Sequence, residues 1–310
     1  MPRSRVETQQ LTATTPTAEP NDFTIDGYQL IAPIANGGSG RVYLAAAPDG
    51  ERIAIKLLDP TYANDPAITS SFLAEYAIAS SAKHPGLLDI RAAARTSCTN
   101  LPYLVMELLD GETLQMLIDR VDLPLGAIVA IASQVADAVA ALHAAGYVHC
   151  DIKPSNIYVL YDTVAGTPRV KVIDFGVARH VDAPIDVEMI SGTPTCMAPE
   201  QWRSAPQPKS DVYALGCMLY ELVTGEPLFS GTLPQLAIAH CEAMPPRPSA
   251  RCPGVDPRLE RLIVRALAKD PSMRPTMSDM AAELGRIVPI VDIDVAIETL
   301  AMEALVEASA

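Results

Sequence analysis

The chain has 310 residues, of which 49% are hydrophobic and 19% charged; this composition is typical of an ordered globular protein with room for about two lobes. Its net charge of −14 and its scattered Lys and Arg residues argue against nucleic-acid binding, and no run reaches the ~18 apolar residues of a membrane-spanning helix. Six cysteines without metal-ligand spacing favour reduced thiols and a cytoplasmic setting.

The N-terminal third is predicted to be rich in strands. Residues 1–22 contain Thr, Pro and Gln but no apolar core of a secretory signal, so they predict a flexible tail. The runs "YQLIAPIA", "RVYLAAA" and "ERIAIKLLD" then predict strands. The run "AITSSFLAEYAIASSA" predicts a helix, and "LLDIRAAAR" and "YLVMEL" predict two further strands.

The remainder is predicted to be mostly helical. The run "LPLGAIVAIASQVADAVAALHAAG" ends at Gly146 and places five apolar residues on one helical stripe: Ile128, Ile131, Val135, Val139 and Leu142. The run "SDVYALGCMLYELVTG" is apolar nearly all round, which indicates a deeply buried helix, and "DPRLERLIVRALAKD" is amphipathic. The sequence therefore predicts a small strand-rich lobe followed by a larger helical lobe.

Two features of the first lobe are compatible with phosphate binding. The run "ANGGSGRV" (35–42) has glycines at 37, 38 and 40, which would let backbone N–H groups approach phosphate oxygens, although a simple glycine turn in a hairpin fits as well. Lys56 alternates with apolar residues in "IAIK", as a solvent-facing strand lysine also does. A phosphate role for Lys56 requires a carboxylate partner, and Glu75 is the candidate.

The strongest chemical signal is "HCDIKPSN" followed by "VIDFG". Asp151, Lys153 and Asn156 stand close together on a proline-containing loop, and Asp174 follows an apolar strand. These residues offer one base, one cation and two oxygen ligands suited to magnesium, which is bound by few protein ligands together with phosphate oxygens.

In chain order, the glycine loop, "IAIK", "HCDIKPSN", "DFG", "GTPTCMAPE", "SDVYALG" and "DPSMRPT" resemble the motifs of a protein kinase catalytic domain of the bacterial eukaryotic-like Ser/Thr type, from about Phe23 to Val288. The resemblance implies an α+β, two-lobed kinase fold: an antiparallel-sheet N-lobe with one main helix plus the hinge over 23–109, and a mostly helical C-lobe over 110–288. It also implies ATP and Mg²⁺ as cofactors, and protein substrates with Ser or Thr acceptors.

The catalytic roles that the resemblance implies fall on five residues. Asp151 would orient the substrate hydroxyl and accept its proton, and Lys153 would neutralise the transferring phosphate. Asn156 and Asp174 would ligate Mg²⁺. Thr193, together with Lys153, resembles the Ser/Thr rather than the tyrosine kinases.

The nucleotide site that the resemblance implies lies mostly in the N-lobe. Lys56 would hold the α- and β-phosphates, fixed by an ion pair with Glu75. The loop that covers the phosphates would comprise Ile34, Ala35, Asn36, Gly37, Gly38, Ser39, Gly40, Arg41 and Val42. The adenine would lie under Val42 and Ala54, in front of Met106, above Tyr158 and against the backbone of Glu107 and Leu109 in the hinge.

The resemblance implies two structural contacts in the C-lobe as well. Asp211 in the buried helix would brace the catalytic loop, "HCDIKPSN" (149–156). Glu200 and Arg274 would form an ion pair.

Four positions depart from the family pattern. Ala35 replaces the first glycine of the loop, Tyr158 replaces a leucine or methionine, and Cys196 replaces a tyrosine near the substrate pocket. Cys150 stands in place of an arginine beside the catalytic aspartate. That arginine would pair with a phosphate on the activation segment, "VARHVDAPIDVEMISGTPT" (177–195), so its absence predicts activity that does not depend on phosphorylation of this segment.

Two other functions remain open from the sequence. A pseudokinase would bind nucleotide or partners without transfer; the intact Lys56, Asp151, Asn156 and Asp174 argue against it. A small-molecule kinase of the same fold is disfavoured by "GTPTCMAPE" and Asp211. Residues 289–310 predict a helical extension that packs on the large lobe, with a regulatory partner or a dimer contact as the alternative.

Overall fold

The computed structural model describes residues 24–164, 167–184 and 192–287. The predicted tail (1–22) and C-terminal extension (289–310) lie outside these residues. The N-lobe is one antiparallel sheet of order β1-β2-β3-β4-β6-β5. Its strands are β1 (Thr24–Ile25), β2 (Tyr28–Asn36), β3 (Gly40–Ala46), β4 (Arg52–Leu58), β5 (Ile90–Arg95) and β6 (Pro102–Glu107).

Both faces of strand β4 are covered. Ile53 and Ile55 point to one face and are buried with Tyr103 and Val105 of β6. Because side chains alternate along a strand, Ala54 and Lys56 point to the other face, where Ala54 joins the main core. Lys56 is therefore not a solvent-facing strand lysine: its side chain is 11% exposed.

Helix α1 (Pro66–Ser81) covers the inner face of the sheet, as predicted. It begins after Asp65, whose carboxylate caps the first turn by accepting the N–H groups of Ala67 and Ile68. Its buried face carries Phe72, Glu75 and Ile78, which follow one another at helical spacing. A buried carboxylate on this otherwise apolar stripe requires a partner, because burying an unpaired charge is costly.

The C-lobe contains six helices among the described residues: α2 (Leu114–Ile118), α3 (Leu125–Ala144), α4 (Pro208–Thr224), α5 (Leu233–Glu242), α6 (Pro257–Ala266) and α7 (Met277–Ile287). The predicted stripe of α3 is fully in the core, and Gly146 follows the helix end with φ +86°. Helix α4 is buried on all sides from Ser210 to Tyr220, also as predicted. Although α3 is long and apolar enough to cross a membrane, it is a core helix packed against α4 and α7.

Of the short C-lobe strands among the described residues, the sequence predicts only the apolar strand before Asp174 (Thr167–Val172). Strands β7 (Gly111–Thr113), β9 (Ile157–Val164) and β10 (Thr167–Val172) form an antiparallel sheet of order β10-β9-β7, and β8 (Tyr147–Val148) pairs with β11 (Arg179–His180). These strands hold the "HCDIKPSN" and "DFG" segments side by side. The predicted architecture, an antiparallel N-lobe sheet with one main helix and a mostly helical C-lobe, is confirmed.

Candidate active site

One face of the N-lobe sheet assembles the predicted roof of the nucleotide site. Val42 lies directly across from Lys56 in the β3–β4 pairing, and Ala54 lies across from Met106 in the β4–β6 pairing. Cross-strand partners point to the same face, and so do residues two apart along a strand. Val42, Ala54, Lys56 and Met106 therefore line a single surface that faces the C-lobe.

The glycine loop is a tight turn between β2 and β3. The N–H of Gly37 donates to the carbonyl of Gly40 at 2.8 Å. A Cβ at Gly40 would lie 2.1 Å from the Leu57 carbonyl oxygen, so packing requires glycine there, whereas a Cβ at Gly38 would meet nothing within 4 Å. Ala35 pairs with Val42 as an ordinary strand residue, so the sheet accepts it in place of a glycine.

The other predicted loop residues flank this turn. Ile34 and Asn36 belong to the exposed end of β2, and Arg41 is exposed at the start of β3. The Ser39 carbonyl accepts the Asp59 N–H at 3.0 Å.

Lys56 and Glu75 form a buried ion pair below the glycine loop. Lys56 Nζ lies 2.8 and 3.0 Å from the two Glu75 carboxylate oxygens and 3.8 Å from Asp174 Oδ1. Burial alone would lower the pKa of Lys56, but the charges of Glu75 and Asp174 outweigh it and raise that pKa. Ser71 Oγ also donates to the Gly176 carbonyl at 2.5 Å, so α1 is docked on the "DFG" segment.

A closed set of hydrogen bonds surrounds the Asp151 carboxylate. Thr193 Oγ1 donates to Asp151 Oδ1 at 2.7 Å, and Lys153 Nζ lies 2.7 Å from Asp151 Oδ2. Lys153 Nζ also donates to Thr193 Oγ1 at 2.8 Å. Asn156 Nδ2 donates both to the Asp151 carbonyl at 2.9 Å and to Oδ2 at 3.0 Å. The structure thus brings Asp151, Lys153, Asn156 and Thr193 together.

Asn156 and Asp174 are suited to hold a magnesium ion. Both acceptors of the Asn156 amide face its nitrogen, which leaves its oxygen as the atom able to bind a metal. The Asp174 carboxylate is 51% exposed and stands beside Lys56. An amide oxygen and a carboxylate are ligands that magnesium takes in nucleotide sites.

The catalytic loop is anchored from below by Asp211 of α4. The backbone N–H groups of His149 and Cys150 donate to its two carboxylate oxygens, each at 2.8 Å. Asp211 is 1% exposed, so these charge-assisted bonds are sheltered from water. The His149 ring also packs edge-on against Phe175 at 5.7 Å between centroids, which connects this anchor to the "DFG" segment.

The thiols at the two departures near the catalytic loop are inert. Cys150 is 4% exposed; burial, and then the nearby Asp211 carboxylate, raise the pKa of its thiol well above the ordinary value. Burial likewise raises the pKa of Cys196 to about 12. The structure contains a charge near Cys150, the Arg179 guanidinium, but this group donates to the carbonyls of Ala183 and Pro184 at 2.7 and 2.8 Å.

The hinge is attached to the C-lobe by an ion pair that sequence reasoning missed. Lys171 of β10 is 7% exposed, and its Nζ lies 2.6 Å from Glu107 Oε1 and 3.2 Å from the Leu87 carbonyl oxygen. The Glu107 N–H is already occupied, because it donates to the Asp89 carbonyl at 3.0 Å. The Glu107 carbonyl and the Leu109 backbone are therefore the hinge groups proposed for adenine. The sequence contained a signal for this pair, because Lys171 stands among apolar residues in the strand "RVKVIDFG".

Tyr158, which is predicted to lie below the adenine, belongs to a C-lobe strand, and the predicted ion pair of the large lobe is present. Tyr158 lies in β9, and its hydroxyl donates to the Gly111 carbonyl at 2.7 Å, just after the hinge. Arg274 binds Glu200 through two nitrogens, at 2.6 and 3.0 Å, and its side chain is fully buried. This pair is therefore a structural contact of the C-lobe, as predicted.

Comparisons with known proteins agree with this geometry. The family model for the protein kinase domain matches residues 28–284. The chain is 38% identical over 274 residues to the serine/threonine-protein kinase PknB of Mycobacterium leprae, covering 84% of this chain and 43% of that protein. It is 39% identical over 254 residues to the serine/threonine-protein kinase Pkn1 of Myxococcus xanthus, covering 80% of this chain and 36% of that protein. The chain thus spans less than half the length of these relatives.

Solved structures of a mycobacterial kinase domain share the fold. The Mycobacterium tuberculosis PknI kinase domain superposes with a TM-score of 0.65 at 26% identity, covering 85% of this chain and 97% of the other. A mutant form of the same domain gives a TM-score of 0.66 at 24% identity, over 88% and 99% of the two chains. Because the family model and the relatives match most of the chain, the chain belongs to the protein kinase family and carries a kinase domain of the bacterial serine/threonine type.

Proposed function

We propose that this chain transfers the γ-phosphate of ATP to Ser or Thr hydroxyls of protein substrates, with Asp151 as the catalytic base. The observation that carries the proposal is the hydrogen-bonded set around the Asp151 carboxylate, formed with Lys153, Asn156 and Thr193. The names of the relatives PknB and Pkn1 support the Ser/Thr specificity.

Each charged side chain has a part in this proposal. Lys56, held by Glu75, binds the α- and β-phosphates and keeps them in one orientation. Asp151 accepts the hydroxyl proton of the substrate, while Lys153 offsets negative charge on the transferring group. Asn156 and Asp174 would hold Mg²⁺, which supplies neutralising charge between the phosphates when bound. Little covalent chemistry is required of the protein, so positioning and electrostatic stabilisation dominate.

The test measures transfer of labelled phosphate from ATP to a general basic protein, with and without Mg²⁺. Asp151→Asn and Lys56→Met are each expected to lower the rate by about 100-fold or more, since a positioned base or a charge-stabilising group supplies about that much. Nucleotide binding by Asp151→Asn is expected to stay close to wild type. Equal labelling by wild type and Asp151→Asn would refute the proposal.

The activity is further proposed to be independent of phosphorylation in the activation segment. Cys150 supplies no cation for a phosphate there, and the Arg179 guanidinium already binds two carbonyls of its own segment. Thr193 holds Asp151 through its hydroxyl without any added group. Asp186, Glu188 and Ser191 of this segment lie outside the described residues, so the proposal rests on Cys150, Arg179 and Thr193.

A further inference from the structure

Gln201 links the segment "GTPTCMAPE" (192–200) to the catalytic loop through both ends of its amide. Its Oε1 accepts the N–H of Ala198 at 3.0 Å, and its Nε2 donates to the carbonyl of Cys150 at 2.8 Å. A backbone N–H can only donate and a carbonyl can only accept, so these two partners fix which way the amide points. The side chain is 3% exposed, which removes competition from water.

The carbonyl that Gln201 binds belongs to the peptide unit that carries Asp151. Cys150 has φ +69°, a left-handed conformation that is unfavourable for a residue with a Cβ and needs support from its surroundings. Asp211 supports the N–H side of Cys150, as described above. Gln201 supports its carbonyl side, and His149 Nδ1 accepts the Asp151 N–H at 3.3 Å.

Gly192, the first residue of the 192–200 segment, lies close to the hydrogen bond between Gln201 and the Cys150 carbonyl. Gly192 has φ +126°, and a Cβ placed on it would lie 2.9 Å from the Cys150 carbonyl oxygen and 3.1 Å from Gln201 Nε2. One residue later, Thr193 reaches Asp151. The segment therefore meets the catalytic loop at three points: the Cys150 carbonyl, the Asp151 carboxylate and the Lys153 ammonium, which donates to Thr193 Oγ1.

We propose that Gln201 is a positioning residue for catalysis: its amide fixes the Cys150 carbonyl, and thereby the direction of the Asp151 carboxylate, against the 192–200 segment. Cys150 offers no cation that could connect the catalytic loop to this segment. In this chain the uncharged amide of Gln201 makes the connection, through its bonds to Ala198 and to the Cys150 carbonyl. The inference rests on the proposed role of Asp151 as the base.

The test uses Gln201→Glu, which keeps an acceptor for Ala198 but replaces the donor to Cys150 with a carboxylate oxygen. We expect kcat to fall about 10- to 100-fold at pH 8, while ATP affinity stays close to wild type. The melting temperature should fall as well, because the variant buries an unpaired charge, so kcat is measured well below the unfolding transition. Burial would raise the pKa of the introduced carboxyl, and its protonated form can donate again. The ratio of variant to wild-type kcat is therefore expected to rise as pH falls from 8 to 5.5.

Wild type serves as the reference for pH because the other charged and titratable groups near the Cys150 carbonyl are present in both proteins: His149, the Cys150 thiol, Asp151, Lys153, Arg179 and Asp211. Gln201→Met removes the bonds to Ala198 and Cys150 at similar volume, and is expected to lower kcat without the pH response. Gln134→Glu is the matched control: Gln134 also donates to a carbonyl, that of Ala130 at 3.4 Å, and accepts a backbone N–H, that of Val170 at 3.3 Å, but it lies in α3. Its kcat is expected to match wild type at every pH.

Three results would overturn the inference. The first is wild-type kcat in Gln201→Met with native melting temperature, and this variant decides if Gln201→Glu does not fold. The second is a kcat ratio for Gln201→Glu that stays flat with pH, and the third is a loss of kcat that Gln134→Glu reproduces. An inactive wild type, or an Asp151→Asn variant as active as wild type, would instead refute the proposed function, so the two failures are distinguishable.

Discussion

At the scale of single residues, burial and a carboxylate partner distinguish Lys56 from a solvent-facing strand lysine. Lys56 lies opposite Val42 on the inner face of the sheet, and α1 delivers Glu75 to the same place from its buried face. Without Glu75, this buried lysine would keep only the more distant Asp174 carboxylate, at 3.8 Å, as a countercharge. The pairing also explains why the helix carries a carboxylate on its apolar stripe.

The pair predicts a specific kinetic effect for Glu75→Gln. The amide cannot balance the Lys56 charge, so Lys56 is held less firmly, but the ammonium remains able to bind phosphate. We expect kcat to fall about tenfold or more while ATP affinity changes less, because the pair positions the contact rather than making it. Steady-state kinetics and nucleotide titration would measure the two effects. An unchanged kcat would mean that Glu75 has no part in transfer.

At the scale of elements, Thr193 holds the activation segment to the catalytic loop, and Arg179 binds carbonyls of the segment itself. We expect phosphatase-treated protein, and a Ser191→Ala, Thr195→Ala double variant, to transfer phosphate at rates within a few-fold of the untreated enzyme, a barrier change of about 1 kcal/mol or less. Thr193 is kept because it binds Asp151. A loss of tenfold or more that rephosphorylation restores would contradict the expectation.

Helix α5 packs on the C-lobe through a buried histidine, His240, whose lowered pKa makes stability depend on pH. His240 is fully buried, its Nδ1 lies 3.0 Å from the Tyr213 hydroxyl oxygen, and its backbone carbonyl accepts from Lys269 Nζ at 2.7 Å. Burial, and then the Lys269 charge, lower the pKa of His240 to about 4 from 6.5. The unfolded chain therefore binds the proton first as pH falls from 6.5 towards 4, and the stability due to a neutral His240 is lost across that window.

His240→Gln is accordingly expected to flatten the pH dependence of unfolding. As pH falls from 7 to 5, the shifted pKa of His240 should lower the free energy of unfolding of the wild type by about 2 kcal/mol. The variant should not show this decrease. Urea titrations at the two pH values would measure this difference. His180→Gln, at a half-exposed ring on the surface, is the control and should retain the wild-type slope.

At the scale of the whole molecule, Lys171 joins the two lobes behind the nucleotide cleft. Its β10 strand belongs to the C-lobe, whereas its partners are Glu107 in the hinge and the Leu87 carbonyl in the N-lobe. Removing Lys171 would leave the Glu107 carboxylate with the Asp89 N–H, at 2.7 Å, but without its lysine countercharge. The pair therefore holds the lobes in a fixed relation.

We expect Lys171→Met to lower the free energy of unfolding by about 3 kcal/mol. Adding Glu107→Gln should recover part of the loss, since the unpaired carboxylate is then gone. Lys83→Met is the matched control, because Lys83 pairs with Asp89 at 3.1 Å on the surface, where ion pairs contribute little. Chemical denaturation of the four proteins would give the values, and equal losses in Lys171→Met and Lys83→Met would contradict the expectation.

The long elements of the fold could be predicted because their hydrophobic periodicity is strong. The α3 stripe and the all-round burial of α4 follow directly from spacing, and so do the N-lobe strands. The short strands β7, β8 and β11 have two or three residues each, too few for any periodicity, and their positions depend on tertiary pairing. In the site, Lys171 and Gln201 went unrecognised because each acts through a partner far away in sequence.

Tyr158 has a consequence for inhibitor selectivity. Its hydroxyl is tied to the Gly111 carbonyl, so the ring is held in place at the position predicted for the floor of the adenine pocket. The family pattern places an aliphatic side chain there, whereas Tyr158 would offer an aromatic face to the predicted adenine site. A flat, electron-poor heterocycle would gain about 0.5–1.5 kcal/mol from offset stacking on such a face, beyond the area that it buries. Compounds built on that scaffold should therefore discriminate in favour of this enzyme, and Tyr158→Leu should erase their preference.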